Sequence, residues 1–255
     1  MSDKKTVVIT SAVRTAIGSL GGTLKNISAY KLGSAVISEA IKKSSLKSSD
    51  INEVIMGQVL TGGAGQNPAR QASMDSGIPK ETPSYVVNQV CGSGLRSIAA
   101  GYQSILLNDS KIVIAGGQES MTNSENEMML KNGLIDAYNN YHMGITAENV
   151  AEKFQITREQ QDKFALSSQE KAINAQKKNK FKEEIIDLKI KSKNAEIIFN
   201  KDEHPRQGVN LETLTRLKPV FKKDGTVTAG NASGINDGAA AVLLMSNGEA
   251  IKRGL

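Results

Sequence analysis

The chain is 255 residues long, with 39% hydrophobic, 23% charged and 4% aromatic residues, enough for one large domain or two small ones with a sizeable core. Its 23 glycines and 5 prolines exclude collagen-like and low-complexity chains, and its single cysteine excludes an internal disulfide. The net charge of +6 suits an anionic ligand but lacks the clustered stripe of a nucleic-acid binder, and with no Trp there is no stacking platform for single strands.

The first ten residues carry charge but no apolar leader of the ~7–15 residues a signal peptide needs. No apolar run approaches the ~18–20 residues that span a bilayer. The expectation is a soluble, cytoplasmic protein. Residues 7–13 form a β-branched run, predicted as a buried strand. Gly18, Gly21 and Gly22 follow as a loop. From Ser28, the predicted N-cap, Leu32, Ala35, Val36, Ala40 and Ile41 recur at helical spacing. Residues 51–60 read as a second strand, 61–65 as a glycine-rich loop and 67–75 as a helix. Residues 84–90 read as a third strand running into Cys91-Gly92-Ser93-Gly94. Leu95, Ile98, Ala99, Tyr102, Ile105 and Leu106 then give a helical stripe, and 111–115 a fourth strand. Strands alternating with helices in this way imply a layered α/β architecture with mostly parallel strands.

The texture changes after Gly117. Residues 118–133 are polar and Met-dotted without a strong period, and helices are predicted over 146–154 and 158–182, charged on most faces. Small residues return at 228–238, and 239–245 read as a last buried strand. The organisation expected is a discontinuous α/β domain, 1–117 plus 225–255, interrupted by an inserted and mostly helical domain, 118–224. There is no internal repeat.

Cys91 is the first candidate for chemistry. A thiol between a strand and a helix lies where free N–H groups and the helix dipole favour the anion, which lowers a thiol pKa and makes a nucleophile. Gly92 and Gly94 leave room for a substrate against the backbone. A free cysteine is also commonly a small buried hydrophobe, and local context alone leaves both readings open. His142, before a predicted helix, and His204, in a charged loop, are the two candidates for a base beside a thiol. Either is equally read as an ordinary structural histidine. No G-x-G-x-x-G opens a helix after a strand and no P-loop occurs, so Gly230, Gly234 and Gly238 are read first as packing residues. Lys177, Lys178, Lys180 and Lys182 are read as a solvated helix face. Two histidines and one cysteine give no metal site.

Four segments carry more than this. They are Ala12-Val13-Arg14-Thr15; Asn88-Gln89-Val90-Cys91-Gly92-Ser93-Gly94-Leu95-Arg96-Ser97; Tyr141-His142-Met143-Gly144-Ile145-Thr146-Ala147-Glu148-Asn149-Val150; and Lys218-Pro219-Val220-Phe221 with the stretch 224–238. Together they resemble the thiolase family, nearest to its acetyl-CoA C-acetyltransferases, over almost the whole chain. The resemblance implies a layered αβαβα N-terminal domain with an inserted loop domain. It also implies acyl transfer between CoA thioesters through an S-acyl cysteine, forming or cleaving acetoacetyl-CoA. Cys91 takes the acyl-accepting role. Arg206 is implied to bind a CoA phosphate and Ser233 the pantetheine arm. His142 and Met143 are implied at the acyl end of the pocket, with Leu134, Phe221 and Ala229 along the tunnel. Met143 points towards short acyl groups. The CoA thioesters are substrates, and no resident cofactor is expected.

Two departures shape the expectation. The family continues into a second α/β half carrying an N-E-A-F segment, a G-H-P histidine and a C-x-G-G cysteine, none of which occurs in this sequence. The reading is therefore the N-terminal and loop portion of such an enzyme, with multiple turnover by this chain alone not expected. The alternative is a non-catalytic truncated remnant that binds CoA or a partner chain. The stretch between Met121 and Gly133 is also shorter than the arm that joins family dimers into tetramers, so the expected assembly is a homodimer.

Overall fold

The computed structural model describes residues 6–191 and 196–255. Residues 1–5, the start of the segment searched for a leader, and 192–195, within the expected insertion, lie outside the described residues. In chain order the elements begin with β1 (Val7–Arg14), β2 (Gly18–Ser19), α1 (Ala29–Lys43), β3 (Glu53–Gly57), α2 (Pro68–Asp75), β4 (Ser84–Val87), α3 (Ser93–Leu107) and β5 (Ile112–Ser120). They continue with α4 (Asn126–Met129), α5 (Met143–Lys153), α6 (Arg158–Lys177), β6 (Leu188–Lys191), β7 (Glu196–Phe199), α7 (Leu211–Thr215), β8 (Asn236–Ser246) and α8 (Asn247–Arg253).

Two compact units divide this chain. One contains the described residues up to Ser124 with those of 182–201 and 236–255; the other contains 125–181 and 202–235. By contact, then, 118–124 and 182–201 join the first unit, and 225–235 join the second.

The first unit is built on a mixed sheet in the order β1-β8-β5-β3-β4, with β2 beside β8. Alternation along its strands sorts side chains to two faces. Val54, Met56, Ile112, Ile114, Leu243 and Met245 join α1 residues such as Leu32, Val36, Ile37 and Ala40 in the larger core. Ile55, Val113, Ala115 and Leu244 join Ile105 of α3 in the smaller one. The result is a helix–sheet–helix sandwich. The expected parallel order holds for β3, β4 and β5, but β8 runs antiparallel to both β1 and β5. The reason lies in the register: Ser120 at the end of β5 pairs with Asp237 at the start of β8. The chain leaves and re-enters the sheet at one edge, so the returning strand has to point back.

Several local expectations change. Ser28 occupies the N-cap of α1 without a side-chain cap, whereas Asn67 caps α2, its Oδ1 accepting the Arg70 N–H at 3.0 Å. The stripe expected on α3 is only in part its buried face. Ser93, Ser97, Gly101 and Ile105 are buried and Ile98 packs against the smaller core, while Leu95 is 75% and Tyr102 45% exposed. A Cβ on Gly101 would stand 3.0 Å from both Leu244 and Val113, so small residues bring this helix close. The polar stretch 118–133 begins as the last residues of β5 and ends in α4 and a π-turn over Leu130–Leu134. The lysine run is not on a helix face, because α6 ends at Lys177 with Lys178 as its C-cap. The β6–β7 ribbon lies within the insertion expected to be mostly helical, beyond its expected helices. In the second unit, α6 starts from a capping box between Thr157 and Gln160 and buries little besides Asp162. Among the described residues no helix is long and apolar enough to cross a membrane.

Candidate active site

Cys91 is exposed and stands one residue before Gly92, the N-cap of the fifteen-residue helix α3. It emerges past the carboxyl end of β4, at the edge where β3 and β5, parallel to each other, also end. Ligands of open α/β sheets gather at such an edge. The turn before it is tight. Val90 has φ of 50°, rare for a β-branched residue. The Ser93 hydroxyl locks the turn by accepting the Gln89 N–H at 2.9 Å and donating to the Val90 carbonyl at 2.6 Å. The space expected at Gly94 serves helix packing instead. A Cβ on Gly57 would strike the Ser93–Gly94 peptide, and a Cβ on Gly117 would stand 3.4 Å from the Gly94 Cα. The first turn of α3 thus rests directly on the backbones of β3 and β5.

The remaining candidates lie in the second unit. His142 is the N-cap of α5, its Nδ1 accepting the Gly144 N–H at 2.9 Å, which puts the proton of the neutral ring on Nε2. Its ring stacks on Phe221 with centroids 4.8 Å apart and 18° between planes. Any side chain on Gly144 would enter the Phe221 ring, so α5 can start here only with glycine. Met143, first residue of α5, is exposed beside this pair. Leu134 closes the π-turn and is half-buried. Ala229 and Ser233 are both exposed on the 226–235 stretch, where the Ser233 hydroxyl donates to the Gly234 carbonyl at 3.3 Å. His204 packs on the backbone of Gly234, where a Cβ would lie 2.7 Å from Nδ1. Arg206 is exposed, and its backbone N–H donates to Gln169 Oε1 at 2.9 Å. The structure therefore joins His142 with Phe221 and His204 with the Ser233–Gly234 backbone.

Sequence reasoning missed what holds this stretch in place. Glu148 is buried and accepts the Val227 N–H at 2.8 Å, the Thr226 N–H at 2.9 Å and the Thr226 hydroxyl at 3.0 Å. Burial pushes its carboxyl pKa up, but the N–H groups of Val227 and Thr226 outweigh that and hold it below the ordinary value. Asp162, also buried, accepts from Asn231 Nδ2 at 2.9 Å and from Arg158 Nε at 2.8 Å. Asn231 in turn accepts the Thr228 N–H at 2.8 Å, and Arg158 caps the Leu214 and Leu217 carbonyls. The one sequence signal was Asp162 four residues after Arg158, the spacing of a helical ion pair.

Known proteins share this chain's sequence pattern and fold. The model of the thiolase N-terminal domain matches residues 7–128 and 124–248. An acetyl-CoA acetyltransferase of Rhizobium meliloti is 48% identical, with the alignment covering 98% of this chain and 67% of that protein. One from Chromobacterium violaceum is 51% identical over 98% of this chain and 68% of its own length. The crystal structure of the Bacillus anthracis acetyl-CoA acetyltransferase superposes with a TM-score of 0.95 at 38% identity, covering 99% of this chain and 68% of that one. The chain belongs to the thiolase family.

Proposed function

We propose that this chain transfers acyl groups between CoA thioesters, forming or cleaving acetoacetyl-CoA, with Cys91 as the acyl acceptor. The observation that carries this reading is the exposed Cys91 thiol at the start of α3, in a chain similar to acetyl-CoA acetyltransferases along nearly its whole length. The Cys91 sulfur attacks the thioester carbonyl, the bond from that carbon to the CoA sulfur breaks, and CoA leaves as its thiol with the proton the cysteine gave up. Arg206 pairs with a CoA phosphate and Ser233 with the pantetheine arm. His142 and Met143 line the acyl end, with Leu134, Phe221 and Ala229 along the tunnel. Glu148 and Asp162 support that assignment indirectly, since they fix the stretch bearing Ala229 and Ser233. We place the chain in the cytoplasm as a homodimer; the exposed apolar side chains of Val90 and Leu95 beside Cys91 favour a covered face.

Intact mass after incubation with acetyl-CoA tests the reading. One acetyl group should appear on the chain and be absent from Cys91→Ala. A chain that binds acetyl-CoA but never gains the acetyl group would overturn the acyl-acceptor role. Arg206→Ala should weaken CoA by about 1.5–3 kcal/mol and Ser233→Ala by about 0.5–1.5 kcal/mol in calorimetric titration. Light scattering after size exclusion should show a dimer, and a discrete tetramer would refute it.

A further inference from the structure

The turn that presents Cys91 is held from behind as well as from within. We infer that Glu119 and Asn88 are positioning residues for the Cys91 thiol, acting through hydrogen bonds that cross the carboxyl edge of β5, β3 and β4. This rests on Cys91 being the acyl acceptor. Glu119, the penultimate residue of β5, reaches over to the turn after β3. Its Oε2 accepts the Val59 N–H at 2.8 Å and its Oε1 the Leu60 N–H at 3.3 Å. The same turn is tied to β4 twice: the Gln58 N–H donates to the Val87 carbonyl at 3.1 Å, and Asn88 Nδ2 donates to the Val59 carbonyl at 3.4 Å. Asn88 then accepts the Val90 N–H through Oδ1 at 2.9 Å. Val90 is the residue at φ 50°, immediately before the thiol.

A β-branched residue in that region is strained and persists only where its surroundings over-determine it. Glu119 and Asn88 supply that over-determination, one fixing the wall and the other hanging the turn from it. Glu119 is a costly choice for a wall. Burial pushes its carboxyl pKa up, the Val59 and Leu60 N–H groups pull it back only in part, and the nearby Asp237 adds to the rise. A group kept in a site that disfavours its charge is consistent with a geometric task, since an uncharged partner would close the turn more cheaply.

The test uses the full chain and two reagents for Cys91, acetyl-CoA and iodoacetamide, with thermal melting by circular dichroism on every variant. Glu119→Gln keeps the shape but loses one accepting oxygen, and Asn88→Ala removes the tether. Each should slow both reactions by about ten- to a hundredfold, as a misplaced reacting group does. The double variant should be no slower than the slower single one, because both residues act along one path. Asn88→Ser keeps an uncharged acceptor for the N–H two residues on and should recover most of the rate. Folded variants that react at the unmutated rate, or single effects that multiply in the double variant, overturn the inference. If Glu119→Gln does not fold, Asn88→Ala against Asn88→Ser decides. If the unmutated chain takes no acetyl group while the variants still slow iodoacetamide, the acyl-transfer reading fails and the positioning role stands. If all variants gain the acetyl group at the same rate, acyl transfer stands and the positioning role fails.

Discussion

The Cys91 turn and the stretch bearing Ala229 and Ser233 are held by opposite means. The first rests on backbone: glycines let α3 sit on β3 and β5, and the strain at Val90 is absorbed by hydrogen bonds around the turn. The second hangs from two buried carboxylates, Glu148 and Asp162, which gather N–H groups that no strand or helix satisfies. Even the acids differ, for Glu148 has its pKa lowered where Glu119 has it raised. A reacting atom needs a fixed direction, which packed backbone provides. An irregular stretch needs its polar groups satisfied, which a carboxylate does with two oxygens.

If carboxylates carry the second region, Asp162→Ala should be the most damaging change. It leaves Arg158 without its acid and takes from Asn231 one acceptor beside the Thr226 carbonyl, for a loss of about 3–5 kcal/mol in denaturant melts. A loss below about 1 kcal/mol would break the contrast. If backbone contact carries the first region, Gly57→Ala should cost about 1–3 kcal/mol, because the new methyl meets the Ser93–Gly94 peptide rather than a side chain that can swing away. Gly63→Ala, in the open at φ 74°, serves as the control for strain without collision.

Acid titration sharpens the comparison further. Glu148 binds its proton less readily in the folded chain than in the unfolded one, so its contribution is complete above the unfolded value near 4.5 and is lost as pH falls through its folded value. Glu119 has the opposite sign: the folded chain holds that proton more tightly, so its contribution is greatest at low pH and declines as pH rises from 4.5 to its raised value. Glu148→Gln should therefore flatten the acid limb of stability against pH, and Glu119→Gln should steepen the rise from low pH. Matching slopes in the two variants would contradict the assignment. The smallest effect is expected from Val90→Gly, which relieves the strained φ and should stabilise by about 1 kcal/mol or less while slowing Cys91 alkylation.

The sequence was legible where the local pattern is also the global cause. The runs at 111–115 and 239–245 are apolar because both faces of a central strand are covered, and they appear as β5 and β8; the run at 7–13 appears as β1, at the end of the sheet order, where Ile9 is 55% exposed. The placement of Cys91 between a strand and a helix was legible because of the apolar run before it and the glycines after it. The α3 stripe was legible only in part: Ile105 is buried and Ile98 packs against the smaller core, but Leu95 and Tyr102 are exposed, and Ser97 and Gly101 are buried for being small. Glu148 and Asp162 were hidden in segments rich in charge. Their partners at 226–231 lie about seventy positions away, and nothing nearby marks a carboxylate as buried. The antiparallel direction of β8 was equally out of reach, since it depends on where the chain returns to the sheet.

That return has a consequence for how the protein is made. The β8 strand lies between β1 and β5, yet among the described residues it comes last in chain order of the strands in this sheet. While the ribosome is still adding residues up to 236, β1 lacks the strand it pairs with in the sheet and β5 offers an open edge, so the sheet exists as separate pieces. Long-range pairing of this kind is slow, and unpaired edges recruit the wrong partners. Insertion of β8 is the step that turns those pieces into one sheet. Chaperone capture and misassembly therefore compete for the nascent chain during the whole interval in which the second unit is being built.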